Sequence, residues 1–287
     1  MRKPEWLKTR IPTGEQFQQV NQLLQAYRLN TVCSSARCPN LAECWNRGTA
    51  TIMLLGDTCT RHCRFCSVKT GNPGGAFDPN EPDRVAAAVA QLGLKYVVLT
   101  SVDRDDLDDL GAGIFARTVR QIKRHNPEVR IEILVPDFNA RPDLIQQVLA
   151  AGPDVFAHNL ETVERLTPMV RDPRAGFELS LKTLKIAKEL APGTLTKSGI
   201  MAGIGETTEE LIQTLHRLRT INCDIVTIGQ YLQPNRRCLR VNRYLSPAEF
   251  QELERIARNL GFRQAFAGPL VRSSFRAEEL FNSTPTL

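Results

Sequence analysis

The stretch Ala50-Thr51-Ile52-Met53-Leu54-Leu55-Gly56-Asp57-Thr58-Cys59-Thr60-Arg61-His62-Cys63-Arg64-Phe65-Cys66 decides the fold. An apolar, partly β-branched run leads through a Gly-Asp turn signal into three thiols within eight residues, so a strand feeds a ligand-bearing loop. The same rhythm recurs downstream. Further strands are predicted at Tyr96 to Val102, Ile131 to Val135, Val155 to Leu160, Leu195 to Met201 and Asp224 to Leu232, each followed by an amphipathic helical pattern. Thr207 with Glu210 and Ser246 with Glu249 have capping-box spacing, and Pro247 fits a first helical position. Gly93, Gly152 and Gly261 stand where a left-handed residue would stop a helix. Six βα units result. Right-handed crossovers allow either an open doubly wound sheet or a curved partial barrel, and in both the residues just after each strand gather ligands.

Outward from this core lie two extensions. Residues 1–48 precede the first strand and carry a helical pattern over Thr13–Tyr27; residues 49–262 hold the βα units; residues 263–287 begin with Gly-Pro punctuation and become polar. A length of 287 residues allows a sizeable core, and 42% hydrophobic with 24% charged residues excludes collagenous, coiled-coil and wholly disordered chains. No run of about 18 apolar residues suggests a membrane span, and Met1-Arg2-Lys3-Pro4-Glu5-Trp6 lacks a secretory apolar stretch, so a cytoplasmic protein without membrane partners is expected. The net charge of +6 suits an acidic partner or simple solubility.

Six of the eight cysteines fall between Cys33 and Cys66, which favours metal or redox chemistry over disulfides. Cys223 and Cys238 have no close partner and read as buried or incidental. Three thiolates at Cys59, Cys63 and Cys66 can hold a [4Fe–4S] cube with one iron left open for a ligand. A zinc site of the Cys₃His type that recruits His62 uses similar spacing. The upstream triplet, Cys33, Cys38 and Cys44, has intervals of four and five residues, wider than zinc-ribbon knuckles; zinc completed by a distant residue, or six thiols sharing two zincs, is the alternative.

The C-x₃-C-x₂-C loop with an aromatic before its last Cys resembles the radical S-adenosylmethionine superfamily, and the added C-x₄-C-x₅-C is similar to the lipoyl synthase family within it. Cys38-Pro39-Asn40, Glu43-Cys44-Trp45, Thr100-Ser101-Val102-Asp103-Arg104-Asp105-Asp106, His158-Asn159-Leu160-Glu161-Thr162, Lys197-Ser198-Gly199-Ile200-Met201, Gly229-Gln230-Tyr231-Leu232-Gln233-Pro234 and Arg272-Ser273-Ser274 extend the likeness over nearly the whole chain. The family commonly has acidic residues at Ser34 and Ser35 and a Tyr at Phe275; neither departure removes a ligand.

The resemblance implies a partial (β/α)6 barrel carrying two [4Fe–4S] clusters, with S-adenosylmethionine as co-substrate. Cys59, Cys63 and Cys66 would hold the reducing cluster, which cleaves S-adenosylmethionine to a 5′-deoxyadenosyl radical. Cys33, Cys38, Cys44 and a serine of the Arg-Ser-Ser segment, Ser274 in preference to Ser273, would hold an auxiliary cluster that donates sulfur to C6 and C8 of a protein-bound octanoyl-lysine. No side chain is implied as an acid or base. Asn159 and Glu161 are implied at the cofactor's ribose or amino group, Thr100, Ser101 and Lys197 near its methionine portion, and Phe65 near the adenine. Gly199, Gly203 and Gly205 are expected to let backbone approach the cofactor.

The implied partners are an octanoylated lipoyl carrier domain, an electron donor such as ferredoxin or flavodoxin, and an iron–sulfur repair carrier. Basic clusters at Arg2, Lys3, Lys8 and Arg10 and at Arg236, Arg237, Arg240 and Arg243 read as solvated faces or as a docking field for an acidic carrier. Two other functions compete: a radical sulfur inserter similar to biotin synthase, against which the upstream triplet argues, and a zinc-organised nucleic-acid binder. Dispersed positive charge and 6% aromatic residues argue against nucleic acid as a partner.

Overall fold

A computed structural model describes residues 2–8, 14–35, 38–46 and 51–274. Ala50, Arg10 and Phe275, which figure in the sequence reading, lie outside the described residues. Strands β1 (Asn30–Thr31), β2 (Thr51–Leu54), β5 (Tyr96–Ser101), β6 (Arg130–Leu134), β7 (Val155–Ala157), β8 (Leu195–Ala202), β9 (Ile225–Gln230) and β10 (Gln264–Gly268) form one sheet in that spatial order. Between β2 and β5, β3 (Thr58–Cys59) and β4 (Lys69–Thr70) pair with each other. All pairs from β2 to β10 are parallel and β1 runs antiparallel; among the described residues β1 and β10 do not pair with each other, as in a partial barrel.

The six strands expected from the sequence all form, in the expected order. Four more were not foreseen: β3 and β4, like β1, are only two residues long, and β10 carries Gln-Ala-Phe-Ala-Gly, in which only Phe favours a strand. β10 pairs along all of β9, so the sheet continues into the segment read as a C-terminal extension.

Among the described residues the α-helices are α1 (Glu15–Ala26), α2 (Val32–Ser35), α3 (Leu41–Asn46), α4 (Glu81–Gln91), α5 (Ala112–His125), α6 (Pro142–Leu149), α7 (Thr167–Val170), α8 (Phe177–Leu190), α9 (Thr208–Thr220) and α10 (Pro247–Asn259). Both expected capping boxes are present, at Thr207–Glu210 on α9 and at Ser246–Glu249 on α10. Gly93, Gly152 and Gly261 take φ of 60°, 80° and 85° just past α4, α6 and α10, the left-handed turn that ends a helix.

Alternation along the strands separates two faces. Val97, Leu99, Ile131, Ile133 and Phe156 pack into the main core with the helices, while Tyr96, Val98 and Thr100 point to the interior of the curve. Burial on both faces is why these strands read as nearly continuous apolar runs.

Candidate active site

The cysteine loop is built by a reversal at the end of β2. Leu55 and Gly56 both adopt positive φ, 65° and 87°, and the Leu55 N–H donates to the buried Glu81 carboxylate at 2.7 Å. Burial pushes that carboxyl up despite the bond. The loop is then tied on three sides. Thr60 N–H donates to the Asp103 carbonyl at 3.0 Å, Arg64 N–H to the Val170 carbonyl at 2.9 Å, and Leu239 N–H to the Arg64 carbonyl at 2.9 Å.

Between the first two thiols, Arg61 turns inward and is only 4% exposed. Its guanidinium donates to Asp105 at 2.9 Å and to both oxygens of Asp137, and lies 3.5 Å from Asp103. Burial alone would raise the Asp137 carboxyl, but the bonds from Arg61 outweigh it and hold it below the usual range. Asp172 accepts from the His62 N–H at 2.8 Å, and its own N–H points to Cys63 Sγ at 3.4 Å. The Arg174 guanidinium keeps Asp172 ionised well below the ordinary carboxylate range and also reaches the Thr60 carbonyl at 2.6 Å. Sequence reasoning assigned no role to Arg61, Asp137, Asp172 or Arg174; a charged residue between ligand cysteines was the available signal.

The upstream triplet rests on α1. Phe17 stacks on Trp45 at 5.0 Å between centroids, and Val20, Leu24, Cys33 and Trp45 form a small core of their own. Cys33 sits in α2 and Cys44 in α3, with Cys38 between them. Besides the pairing of β1 with β2, side-chain bonds fasten this unit to the rest, among them Tyr27 Oη to Gln91 Oε1 at 2.9 Å and Arg84 Nε to the Tyr27 carbonyl at 3.0 Å. Ser67 Oγ donates to the Ser35 carbonyl at 2.8 Å, and Asn40 Nδ2 donates to the Leu270 carbonyl at 2.6 Å across 230 residues of sequence. The segment leading to Ser273 and Ser274 lies on β9: a Cβ added to Gly229 would stand 2.0 Å from the Val271 carbonyl oxygen.

All six cysteines of the two triplets, with Ser273 and Ser274, line one cavity of about 1460 Å³ inside the curved sheet. That exceeds the roughly 300–1,000 Å³ of an ordinary small-molecule site. Burial pushes the thiols up, Cys59 and Cys63 to about 12 and Cys66 and Cys33 to about 11, so the ligand-free chain holds them protonated at neutral pH. Among the described residues, no three His, Cys, Asp or Glu side chains are grouped to hold a single metal ion.

Phe65, Thr100, Ser101, Asn159 and Glu161 line the same cavity. Thr100 Oγ1 donates to the Leu134 carbonyl at 2.9 Å, whereas Ser101 Oγ and Asn159 Oδ1 are buried without a protein partner. Glu161 holds a positive φ of 68°, pinned because its N–H donates to the Gly199 carbonyl and its carbonyl accepts from Met201 N–H. Such strain in a non-glycine residue concentrates at ligand clamps. Burial raises the Glu161 carboxyl, which accepts from Asn159 Nδ2 at 3.1 Å.

Lys197 departs from the expectation that it lies near the cofactor. Its ammonium is 2.9 Å from both oxygens of Glu132, which also accepts from Tyr96 Oη at 2.7 Å, and the side chain is absent from the cavity lining. The reason is depth: Lys197 is the third residue of β8, near the start of the strand rather than its carboxyl end. Gly203 and Gly205 also lie off the lining; Gly203 instead makes room for Gln230 and the Arg243 carbonyl. Cys223 is buried against backbone carbonyls as expected, but Cys238 lines the cavity and points its thiol to the Cys66 carbonyl at 3.4 Å.

Two more cavity residues were missed. Arg171 is 7% exposed, donates through Nη1 to Ser180 Oγ at 2.7 Å and leaves its buried Nε unpartnered. His158, fully enclosed, is held by the Val135 carbonyl at 2.8 Å and Ser180 Oγ at 2.9 Å, and burial pushes it down to about 4. A buried guanidinium, unpartnered polar atoms and seven soft or oxygen donors around one chamber fit iron–sulfur clusters together with a zwitterionic cofactor.

Comparison with known proteins agrees with this geometry. The family model described as Radical SAM superfamily matches residues 53–218, and the chain is thus a radical SAM enzyme. Residues 1–38 match the N-terminal domain of lipoyl synthase of the Radical_SAM family. Lipoyl synthase of Thermus thermophilus is 54% identical over 279 residues, covering 97% of this chain and 86% of that protein. The chloroplastic lipoyl synthase of Arabidopsis thaliana is 51% identical, covering 99% of this chain and 73% of that one. The chain belongs to the lipoyl synthase family, whose members are sulfur-inserting enzymes. Methylornithine synthase, 17% identical with a TM-score of 0.58 over 91% of this chain and 76% of that one, shares the fold.

Proposed function

We propose that this enzyme inserts two sulfur atoms, at C6 and C8, into an octanoyl chain carried on a protein lysine. The observation that carries the reading is that two separate thiol triplets and Ser274 face a single cavity. Cys59, Cys63 and Cys66 would hold one [4Fe–4S] cluster; Cys33, Cys38, Cys44 and Ser274 would hold the auxiliary one, which would supply the sulfur. Bound together, such a cluster and S-adenosylmethionine would supply the one-electron chemistry needed to break an unactivated C–H bond.

The chain's own side chains bind and orient. Asn159 and Glu161 hold the cofactor's ribose or amino group, with Thr100 and Ser101 near its methionine portion and Phe65 against its adenine. Arg171, buried beside the loop with a free Nε, pairs with the cofactor carboxylate. A one-electron donor such as ferredoxin or flavodoxin and an iron–sulfur repair carrier complete the cycle.

Anaerobic turnover of an octanoyl-lysyl peptide with S-adenosylmethionine and reductant, followed by mass, is expected to give product carrying two sulfurs. Colourless, zinc-loaded protein that gives no thiolated product overturns the reading. Ser274→Ala is expected to leave the cluster of Cys59, Cys63 and Cys66 intact while changing the auxiliary-cluster spectrum.

A further inference from the structure

We infer that the loop after β9 is the docking face for the acyl-bearing carrier, and that it recognises an acidic surface on that partner. The inference rests on the proposed reaction on a protein-bound acyl chain. Between Pro234 and Leu245 the chain leaves the carboxyl end of β9 and reaches α10 without regular structure. Despite that, it is held firmly at the cavity. Gln233 Nε2 donates to the Cys238 carbonyl at 2.8 Å, Tyr231 Oη to the Leu239 carbonyl at 2.8 Å, and Asn242 N–H to the Gly203 carbonyl at 2.8 Å. Leu239 and Cys238 tie the same loop to the backbone of Arg64 and Cys66.

From this fixed loop Arg236, Arg237 and Arg240 are exposed, and none has an ion pair or side-chain hydrogen bond among the described residues. Lys95, Arg120, Arg124, Lys182 and Arg263 are likewise exposed and unpaired among the described residues, but in this loop three such arginines fall within five residues beside the cavity. Exposed Arg165, Arg217, Arg255 and Arg258 each hold a carboxylate. Arg243, at the far end of the loop, is paired with Glu249. Three unneutralised guanidiniums on a rigid mount form a local positive field, and Arg237 also lines the cavity, which places that field at the opening. An acyl chain attached to a folded domain must enter while its carrier remains outside. The carrier therefore presses on the rim, and acidic side chains there would meet these arginines. Such complementarity acts mainly on the encounter rate, at distances that salt screens beyond about 10 Å at 0.1 M.

The test uses the reconstituted enzyme with a chemical reductant, so no protein donor is present. The Arg236→Glu/Arg240→Glu variant is expected to associate with an octanoylated carrier domain roughly tenfold more slowly at low ionic strength, with the gap closing as salt rises. Its turnover of an octanoyl-lysyl peptide should match the unmodified enzyme, and Arg236→Gln/Arg240→Gln should fall between. An unchanged association rate overturns the inference, as does an equal loss on the free peptide. Normal carrier association with slower reduction by a protein donor also overturns it and assigns the face to that donor. Failure of the unmodified enzyme to thiolate the peptide tells against the reaction itself, whereas the association measurement stands apart from turnover.

Discussion

Lys197 and Glu132 are 1% and 0% exposed, so each charge depends on the other. Removing one partner of such a pair costs about 3–5 kcal/mol, because the remaining charge stays buried. Lys197→Met should lower unfolding free energy by that amount in urea titration, and adding Glu132→Gln should recover most of it. A full loss of iron with unchanged stability would instead return Lys197 to the site. His158 makes a pH prediction. Its folded value of about 4 lies below the ordinary 6.5, so the unfolded chain binds the extra proton between those limits. Stability is present above pH 6.5 and is lost as pH falls toward 4, by about 3 kcal/mol. His158→Gln should flatten the denaturation-versus-pH curve across that window relative to the unmodified, ligand-free protein. The cysteines were legible because their chemistry is tied to spacing. Arg61 was not, since its partners Asp105 and Asp137 lie 44 and 76 residues away.

Among the elements, those with local signals were read correctly: the two capping boxes and the glycine stops formed as spaced. Thr207→Ala should cost about 1 kcal/mol in thermal unfolding while leaving iron content untouched. β10 escaped because its stability comes from pairing with β9 rather than from residue preference. Its dependents are the more consequential part. The tail that follows it passes so close to Gly229 that a methyl group would meet the Val271 carbonyl at 2.0 Å. Gly229→Ala should therefore displace Val271–Ser274, and reconstituted protein should fall from about eight irons per chain to about four, with the S-adenosylmethionine-dependent spectrum retained. Full iron content in that variant would show that the tail does not organise the auxiliary ligands.

Taken whole, the molecule was legible in its βα order and its thiol inventory, but the meeting of the two triplets was not. Nothing in the intervals around Cys33 and Cys66 says that Ser67 will reach the Ser35 carbonyl or that Asn40 will reach Leu270. Those joins depend on the curvature of the sheet, which sequence pattern left undecided between an open and a rolled form. The shared enclosure has a global effect on metal loading. Burial lifts Cys33, Cys59, Cys63 and Cys66 to about 11 or 12, so under the proposed cluster assignment iron would have to displace protons from them. Iron uptake by stripped protein should strengthen between pH 6.5 and 8.5 with measurable proton release in weakly buffered solution. Uptake indifferent to pH would mean that the thiolates are already formed.

The bond between Asn40 and Leu270 also sets a timetable for biosynthesis. Cys33, Cys38 and Cys44 leave the ribosome while the codons for the segment that reaches them, some 230 residues further along the chain, are still unread. The chamber around them can close only once Leu270 has been made, and a nascent chain stalled before that point would expose three thiols to whatever oxidant or stray metal the compartment contains.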